Sequence, residues 1–112
     1  MSEMQREQLK VAQEMAVLVA VQFPRPKLAL EDRLAELQSL AETAGATVVG
    51  ILSQKRYKPV GRTFLGKGKV EELGKLVEMT KATLVIFDDD LAPAQIRNIE
   101  QMLSVKVIDR SE

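Results

Sequence analysis

Residues 61–69 read GRTFLGKGK, which matches the phosphate-binding motif G-x-x-x-x-G-K-[ST] as far as Lys67. In that motif the loop wraps a phosphate with backbone N–H groups, and the final hydroxyl binds magnesium. Here Gly68 stands in place of the hydroxyl, and the preceding apolar run is predicted to end near Leu52, eight residues before Gly61. A nucleotide-hydrolysing loop follows its strand directly, so the sequence argues against one here.

The same stretch can still form a simpler anion site. Gly66, Lys67, Gly68 and Lys69 precede a predicted helix. Backbone N–H groups, the helix dipole and two ammonium groups converge at such a start, which suits an RNA or nucleotide phosphate. The sequence leaves one alternative open, a glycine-rich helix start whose lysines are merely solvated.

The segment around this motif is basic, although the whole chain has a net charge of zero. From Gln54 to Lys69 there is no acidic residue, and the basic residues are Lys55, Arg56, Lys58, Arg62, Lys67 and Lys69. Basic side chains bind nucleic-acid phosphates, and Tyr57 within the segment could stack on a base. Ordinary solvated charge is the alternative, but the long absence of acids favours RNA.

Three consecutive acids, Asp88 to Asp90, follow the apolar run LVIF. Strand ends face the ligand crevice in a parallel sheet, so Asp88 and Asp89 are weak candidates for holding a metal ion. Neighbouring strand residues point to opposite faces, however, and acids before a helix often cap it. We therefore favour capping of the helix predicted at Pro93, and predict neither a metal site nor a catalytic residue. The chain also lacks Cys and His.

The elements that position these residues follow from apolar periodicity. Continuous apolar runs predict buried strands over 16–22, 46–52, 83–87 and 105–108. Helical spacing predicts helices over 30–44, from 68 or 69 to about 81, and from 93 onward, with Leu40 and Met102 in the buried stripes. The predicted fold is α/β, an open three-layer, mostly parallel sheet of about four strands with helices on both faces.

The domain organisation is simple. Residues 1–15 are predicted to form an N-terminal arm or short helix, and residues 16–110 an α/β domain. The longest apolar stretch, Ala16 to Val21, is much shorter than the roughly 20 residues of a membrane span. With no signal-peptide pattern either, we expect a cytoplasmic protein.

Five blocks resemble, in order and spacing, the N-terminal domain of the HflX-type GTPases, over about Ala16 to Arg110. They are LAETAGATVVG, QKR, GKGKVEEL, VIFDDDLAPAQIRN and KVIDR. The sequence departs from the family at Asp90, where Glu is usual, and at Ala92, where Ser is usual. Loss of a Ser cap at that helix start should cost about 1 kcal/mol unless Asp89 or Asp90 replaces it.

The resemblance implies a longer protein in which a helical segment and a GTPase domain, binding GTP and magnesium, lie downstream of this domain and outside this chain. Such proteins associate with the large ribosomal subunit, and some split stalled or idle ribosomes. This chain would then be a non-catalytic module that binds ribosomal RNA through its basic segment. ATP binding is also attributed to this domain in the family. The alternative is therefore an adenine-nucleotide site, with phosphates at GKGK and magnesium at Asp88 or Asp89.

Overall fold

The computed structural model describes residues 14–24, 29–56 and 61–110. In chain order the elements are β1 (Met15–Gln22), α1 (Leu30–Thr43), β2 (Thr47–Lys55), α2 (Lys67–Thr80), β3 (Leu84–Phe87), α3 (Pro93–Leu103) and β4 (Lys106–Asp109). The predicted arm over 1–15 lies almost wholly outside the described residues. Among the helices described, none has the length and hydropathy that crossing a bilayer requires.

The four strands form one sheet in the order β2-β1-β3-β4, and every neighbouring pair is parallel. Helix α1 packs on one face of the sheet, whereas α2 and α3 pack on the other, so the predicted three-layer α/β fold is confirmed. The chain leaves β1 toward β2 and later returns to pair β3 on the other side of β1. The gap between the carboxyl ends of β1 and β3 is therefore the topological switch point, where ligands bind in folds of this type.

Strand β1 is the centre of the core because it has a helix layer on each face. Residues 16–21 have no exposed surface. Val17, Val19 and Val21 belong to the cluster on the α2 and α3 face, and Ala16 and Leu18 to the cluster on the α1 face. This two-sided burial explains why the strand is apolar throughout instead of alternating.

Strand β2 is longer than predicted, which corrects the distance to the glycine-rich loop. The sequence predicted an end near Leu52, but β2 runs to Lys55, which pairs with Gln22. The pairing continues because the N–H of Arg56 donates to the carbonyl of Gln22, at 3.0 Å. Five residues, not eight, therefore separate the strand from Gly61.

Two residues predicted in the buried helical stripes are exposed. Leu40 of α1 is 54% exposed and Met102 of α3 is 58% exposed. In each helix other residues supply the buried contacts, Leu37 and Ala41 in α1 and Ile99 in α3. The sheet therefore covers a narrower face of each helix than the apolar spacing indicated.

Candidate nucleic-acid interface

The loop over residues 61–66 is held against α3 by two amide side chains. Gln95 donates from Nε2 to the carbonyl of Gly61, and Asn98 donates from Nδ2 to the carbonyl of Arg62, both at 3.0 Å. Thr63 donates from its hydroxyl to the carbonyl of Leu65, at 2.9 Å. Gly61 has φ of +98°, a conformation that glycine adopts at little cost.

A buried aromatic anchors the same loop. Phe64 is 5% exposed although its φ is +66°, a left-handed conformation that is costly for a bulky residue. Its ring meets that of Phe23 edge to face, with 5.8 Å between the ring centres. Leu65 is buried beside it in the same core cluster. Burial of two large apolar side chains thus compensates the strained backbone and fixes where α2 begins.

The start of α2 leaves backbone donors available to an anion. Gly66 is the N-cap, and its own N–H donates to Oε1 of Gln54, at 3.0 Å. The first intrahelical bond runs from the N–H of Val70 to the carbonyl of Gly66, so the N–H groups of residues 67–69 have no helical partner. No side chain caps the helix, and its first turn contains no acid. Space is open around Gly68, where an added Cβ would meet no atom within 4 Å.

Three of the predicted cations come together at this helix start. Arg56 from the end of β2, Arg62 from the loop and Lys67 from α2 line one pocket of about 580 Å³. Among residues 14–24, 29–56 and 61–110, eleven line the pocket, and none of these eleven is acidic. Gly66 also lines the pocket, and a Cβ added to it would come within 3.4 Å of Nη1 of Arg56. That Nη1 is buried and has no hydrogen-bond partner among the described residues.

The remaining predicted cations lie elsewhere. Lys69 forms an ion pair with Glu72, with 3.0 Å between Nζ and Oε2, and lines a separate groove beside Ile51. Lys55 is exposed at the end of β2. Lys58 and Tyr57 fall outside the described residues. The structure therefore brings Arg56, Arg62 and Lys67 together and turns Lys69 away.

Contacts within the protein occupy much of the loop over residues 61–66. Two of its carbonyls accept bonds from α3, so it is built against a helix and not around a ligand. The N–H of Gly66, which would face a phosphate, is taken by Gln54. Five residues separate Gly61 from β2, and Gly68 provides no hydroxyl. The groups that stay available to an anion are the N–H groups in the first turn of α2 and the cations beside them.

The acidic run takes part in an ion-pair network at the switch point. Asp88, whose side chain is 1% exposed, accepts from Nε of Arg33 and from Nη1 of Arg110, both at 2.7 Å. Asp89 accepts from Nη2 of Arg33 at 2.8 Å and from the N–H of Val21 at 2.9 Å. Arg110 also pairs with Glu36 of α1. All four carboxylate oxygens of Asp88 and Asp89 are thus engaged.

Within this network, burial disfavours the charged form of the Asp89 carboxylate. Burial raises the pKa of Asp89, and the bonds from Val21 and Arg33 offset only part of that effect. Burial alone would lower the pKa of Arg33, but the two carboxylates outweigh it and raise that pKa. Within this ion pair, the raised pKa of Arg33 favours its charged form, whereas the raised pKa of Asp89 disfavours its charged form. Because an arginine stays charged at all ordinary pH values, Asp89 is the member that titrates.

The favoured interpretation of these acids as helix caps is wrong. The N–H of Ala92, the N-cap of α3, donates to Oε1 of Gln95 at 2.9 Å, and no acid provides a side-chain cap for this helix. Asp109 accepts from the N–H of Leu91, also at 2.9 Å. No group of three or more potential acidic ligands gathers for a metal ion in the described part of the chain. A magnesium ion at Asp88 or Asp89 would have to displace an arginine.

Sequence reasoning missed the residues that hold both sites in place. Arg33, Gln54, Gln95 and Asn98 carry no motif, and only a tertiary contact reveals their roles. One signal was available for Arg33. It lies in the first turn of α1, which comes after the carboxyl end of β1. The acids come directly after the carboxyl end of β3, the strand next to β1.

Comparison with known proteins identifies the family. Residues 31–112 match the model of the family described as "GTP-binding GTPase N-terminal". The chain belongs to the N-terminal domain family of the HflX-type GTPases. It is 46% identical over 99 residues to the GTPase HflX of Alkalihalophilus pseudofirmus, covering 88% of this chain and 23% of that protein. It is 40% identical over 100 residues to the GTPase HflX of Escherichia coli, covering 89% of this chain and 23% of that protein.

The chain therefore spans about a quarter of the HflX relatives that it matches. The pocket residues Arg56, Arg62 and Lys67 and the network acids all fall within the matched HflX segment. Among solved structures, the chain is similar to the anti-anti-sigma factor PhyR from Bartonella quintana, at 18% identity over 94% of this chain and 37% of that one. The TM-score is 0.45, a likeness too weak to bear on function.

Proposed function

We propose that this domain binds ribosomal RNA and docks an HflX-type GTPase on the large ribosomal subunit. The observation that carries the proposal is the convergence of Arg56, Arg62 and Lys67 on one pocket, with no acid among the described residues that line it. All three belong to the basic segment over residues 54–69, and the end of β2, the loop and the start of α2 hold them around one pocket. Such a group attracts phosphates and gives binding that weakens with salt.

The electrostatics of α2 support an anion at this place. The N-terminus of a helix is already positive, so a cation in the first turn is unfavourable by about 0.3–1 kcal/mol. Lys67 and Lys69 both lie there, the turn contains no acid, and among the described residues only Lys69 of the two pairs with an acid of the next turn, Glu72. A phosphate bound to the N–H groups of residues 67–69 would turn this cost into an attraction. Cations at a helix start go against the usual sequence preference, and such exceptions are expected at functional sites.

For the whole protein we propose a cytoplasmic GTPase. GTP and magnesium would bind in a GTPase domain that follows this one through a helical segment, and ribosome splitting or rescue would depend on that domain. GRTFLGKGK would not be the GTP site, and this chain alone would hydrolyse no nucleotide.

The adenine-nucleotide alternative has less support. It needs magnesium at Asp88 or Asp89, and the oxygens of both residues accept bonds from arginines or from the backbone. Calorimetry of this chain with ATP and magnesium should give no heat of binding at millimolar ligand. Measurable heat that disappears in Lys67→Ala would restore this alternative.

The ribosome proposal is tested by co-sedimentation of this chain with purified large subunits. The test variant is Arg62→Glu with Lys67→Glu, because both side chains are exposed. An acid at residue 67 complements the helix dipole, so lost binding would not reflect unfolding. The matched control is Lys81→Glu with Lys106→Glu, exposed residues near the opposite end of the sheet.

We expect the test variant to remain in the supernatant and the control to sediment with the subunits as the unmodified chain does. Equal sedimentation of both variants would overturn the proposal. Equal loss in both would also overturn it, since binding would then follow net charge and not this site.

A further inference from the structure

The pocket beside Arg56, Arg62 and Lys67 contains more than cations. Part of its lining is apolar, with Leu65 and Val70 buried and Met102 58% exposed. Asn98 and Gln101 bring two amides from α3 to the same pocket. A volume of about 580 Å³ lies within the range of small-molecule sites, roughly 300–1,000 Å³.

A bare phosphate does not account for this composition. A phosphate needs donors and positive charge, which the cations and the α2 N–H groups already provide. It gains nothing from an apolar lining or from an exposed methionine. A flat aromatic ring with a polar edge does, because its faces suit aliphatic carbon and a thioether sulfur, and its edge suits amides.

We infer that this pocket takes the unstacked base of one nucleotide, while Arg62 and Lys67 hold the phosphates on either side. This inference rests on the proposed RNA-binding function and names the part of the ligand that enters the pocket. Proteins that recognise single-stranded RNA bind splayed-out bases through the faces and the hydrogen-bonding edges of the base. In this pocket the faces would meet aliphatic carbon and the side chain of Met102, and the edge would meet the amides.

The amides favour a base without fixing its identity. Asn98 donates its N–H to the carbonyl of Arg62, which leaves its carbonyl oxygen as an acceptor. Gln101 is exposed, and its amide provides both a donor and an acceptor. Because an amide of this kind can rotate to suit different base edges, the expected discrimination is between a base and no base.

The test compares two fluorescein-labelled RNA decamers by anisotropy with this 112-residue chain. One decamer contains adenosines, and the other has the same phosphates and sugars but no bases. The contact of a base with a thioether sulfur should make the intact decamer bind about two- to tenfold more tightly. The double variant Gln101→Ala with Met102→Ala should lose this preference yet bind the abasic decamer as the unmodified chain does. Both residues are exposed on a helix, so the fold should persist.

The outcomes separate the base pocket from the proposed function. Equal affinity of the unmodified chain for both decamers overturns the base pocket but leaves phosphate binding standing. Failure to bind either decamer overturns both. A base preference that survives in the double variant places the base elsewhere and also overturns the pocket.

A competition arm identifies the source of the base. Millimolar AMP that displaces the intact decamer from the unmodified chain, but not from the double variant, indicates that free nucleotides enter the pocket. Absence of displacement, together with the base preference, assigns the pocket to an RNA strand. Displacement from both proteins alike would contradict the pocket.

Discussion

Replacement of Asp88 by Ala should destabilise the domain more than any other single change in the acidic run. The Asp88 side chain is 1% exposed and accepts from both Arg33 and Arg110, at 2.7 Å each. Alanine would remove the carboxylate that the two arginines share, so each guanidinium group would lose one of its hydrogen-bond acceptors. Removal of one partner from a buried ion pair typically costs about 3–5 kcal/mol.

Two features of the structure place Asp88→Ala at the low end of that range. The arginine side chains are 16% and 33% exposed, so water can solvate part of the released charge. Each arginine also keeps another carboxylate, Asp89 for Arg33 and Glu36 for Arg110. We therefore expect a loss of about 3 kcal/mol in the free energy of unfolding.

The measurement is urea unfolding followed by circular dichroism at pH 7. The matched control is Asp90→Ala, which removes an exposed acid two residues away and should change stability by less than about 0.5 kcal/mol. If Asp88→Ala is no less stable than Asp90→Ala, the network does not stabilise the domain. Stabilisation of the unmodified chain by magnesium alone would likewise contradict the account, because a bound ligand stabilises the folded state.

Three further changes test the loop and the start of α2. Gly68→Ala should raise the free energy of unfolding, measured in urea, by about 0.5–1 kcal/mol, because Ala favours a helix and no atom lies within 4 Å of the new Cβ. A loss of stability would show that the space around residue 68 is not open. Gly68→Ser completes the G-x-x-x-x-G-K-S motif, yet the melting temperature should not respond to GTP with magnesium; a rise would mean that the loop can wrap a phosphate after all. Phe64→Ala should cost about 3 kcal/mol, because it removes the ring that anchors the loop against Phe23, and a loss below about 1 kcal/mol in the same urea assay would show that the loop is held by other contacts.

The fold was predictable because its signals are local and redundant. The apolar run of β1 and the helical spacing of Val70, Leu73 and Val77 both match the buried residues of the structure. Gly45, just after α1, has φ of +97°, a left-handed conformation that is common for glycine after a helix end. The end of β2 was not predictable, because Ser53 to Lys55 are polar and extend the strand only through pairing with β1.

The candidate site was predictable in its residue types but not in its grouping. The basic segment and the GKGK start were visible in the sequence, and Arg56, Arg62 and Lys67 do share a pocket. Lys69 is only two residues beyond Lys67, yet helical rotation turns it toward Glu72 and β2. The role of the acids depends on Arg33 and Arg110, which are far away in sequence. Contacts of this range leave no periodic pattern.

The salt dependence of RNA binding tests the central claim most directly. The affinity of the chain for a single-stranded RNA should fall linearly on a log–log plot against salt, with a slope of about −0.7 for each phosphate neutralised. Arg62→Ala and Lys67→Ala should each make that slope shallower by about 0.7, whereas Lys81→Ala at the far end of α2 should leave it unchanged. A slope near zero, or one that changes equally in all three variants, would contradict an RNA interface at the start of α2.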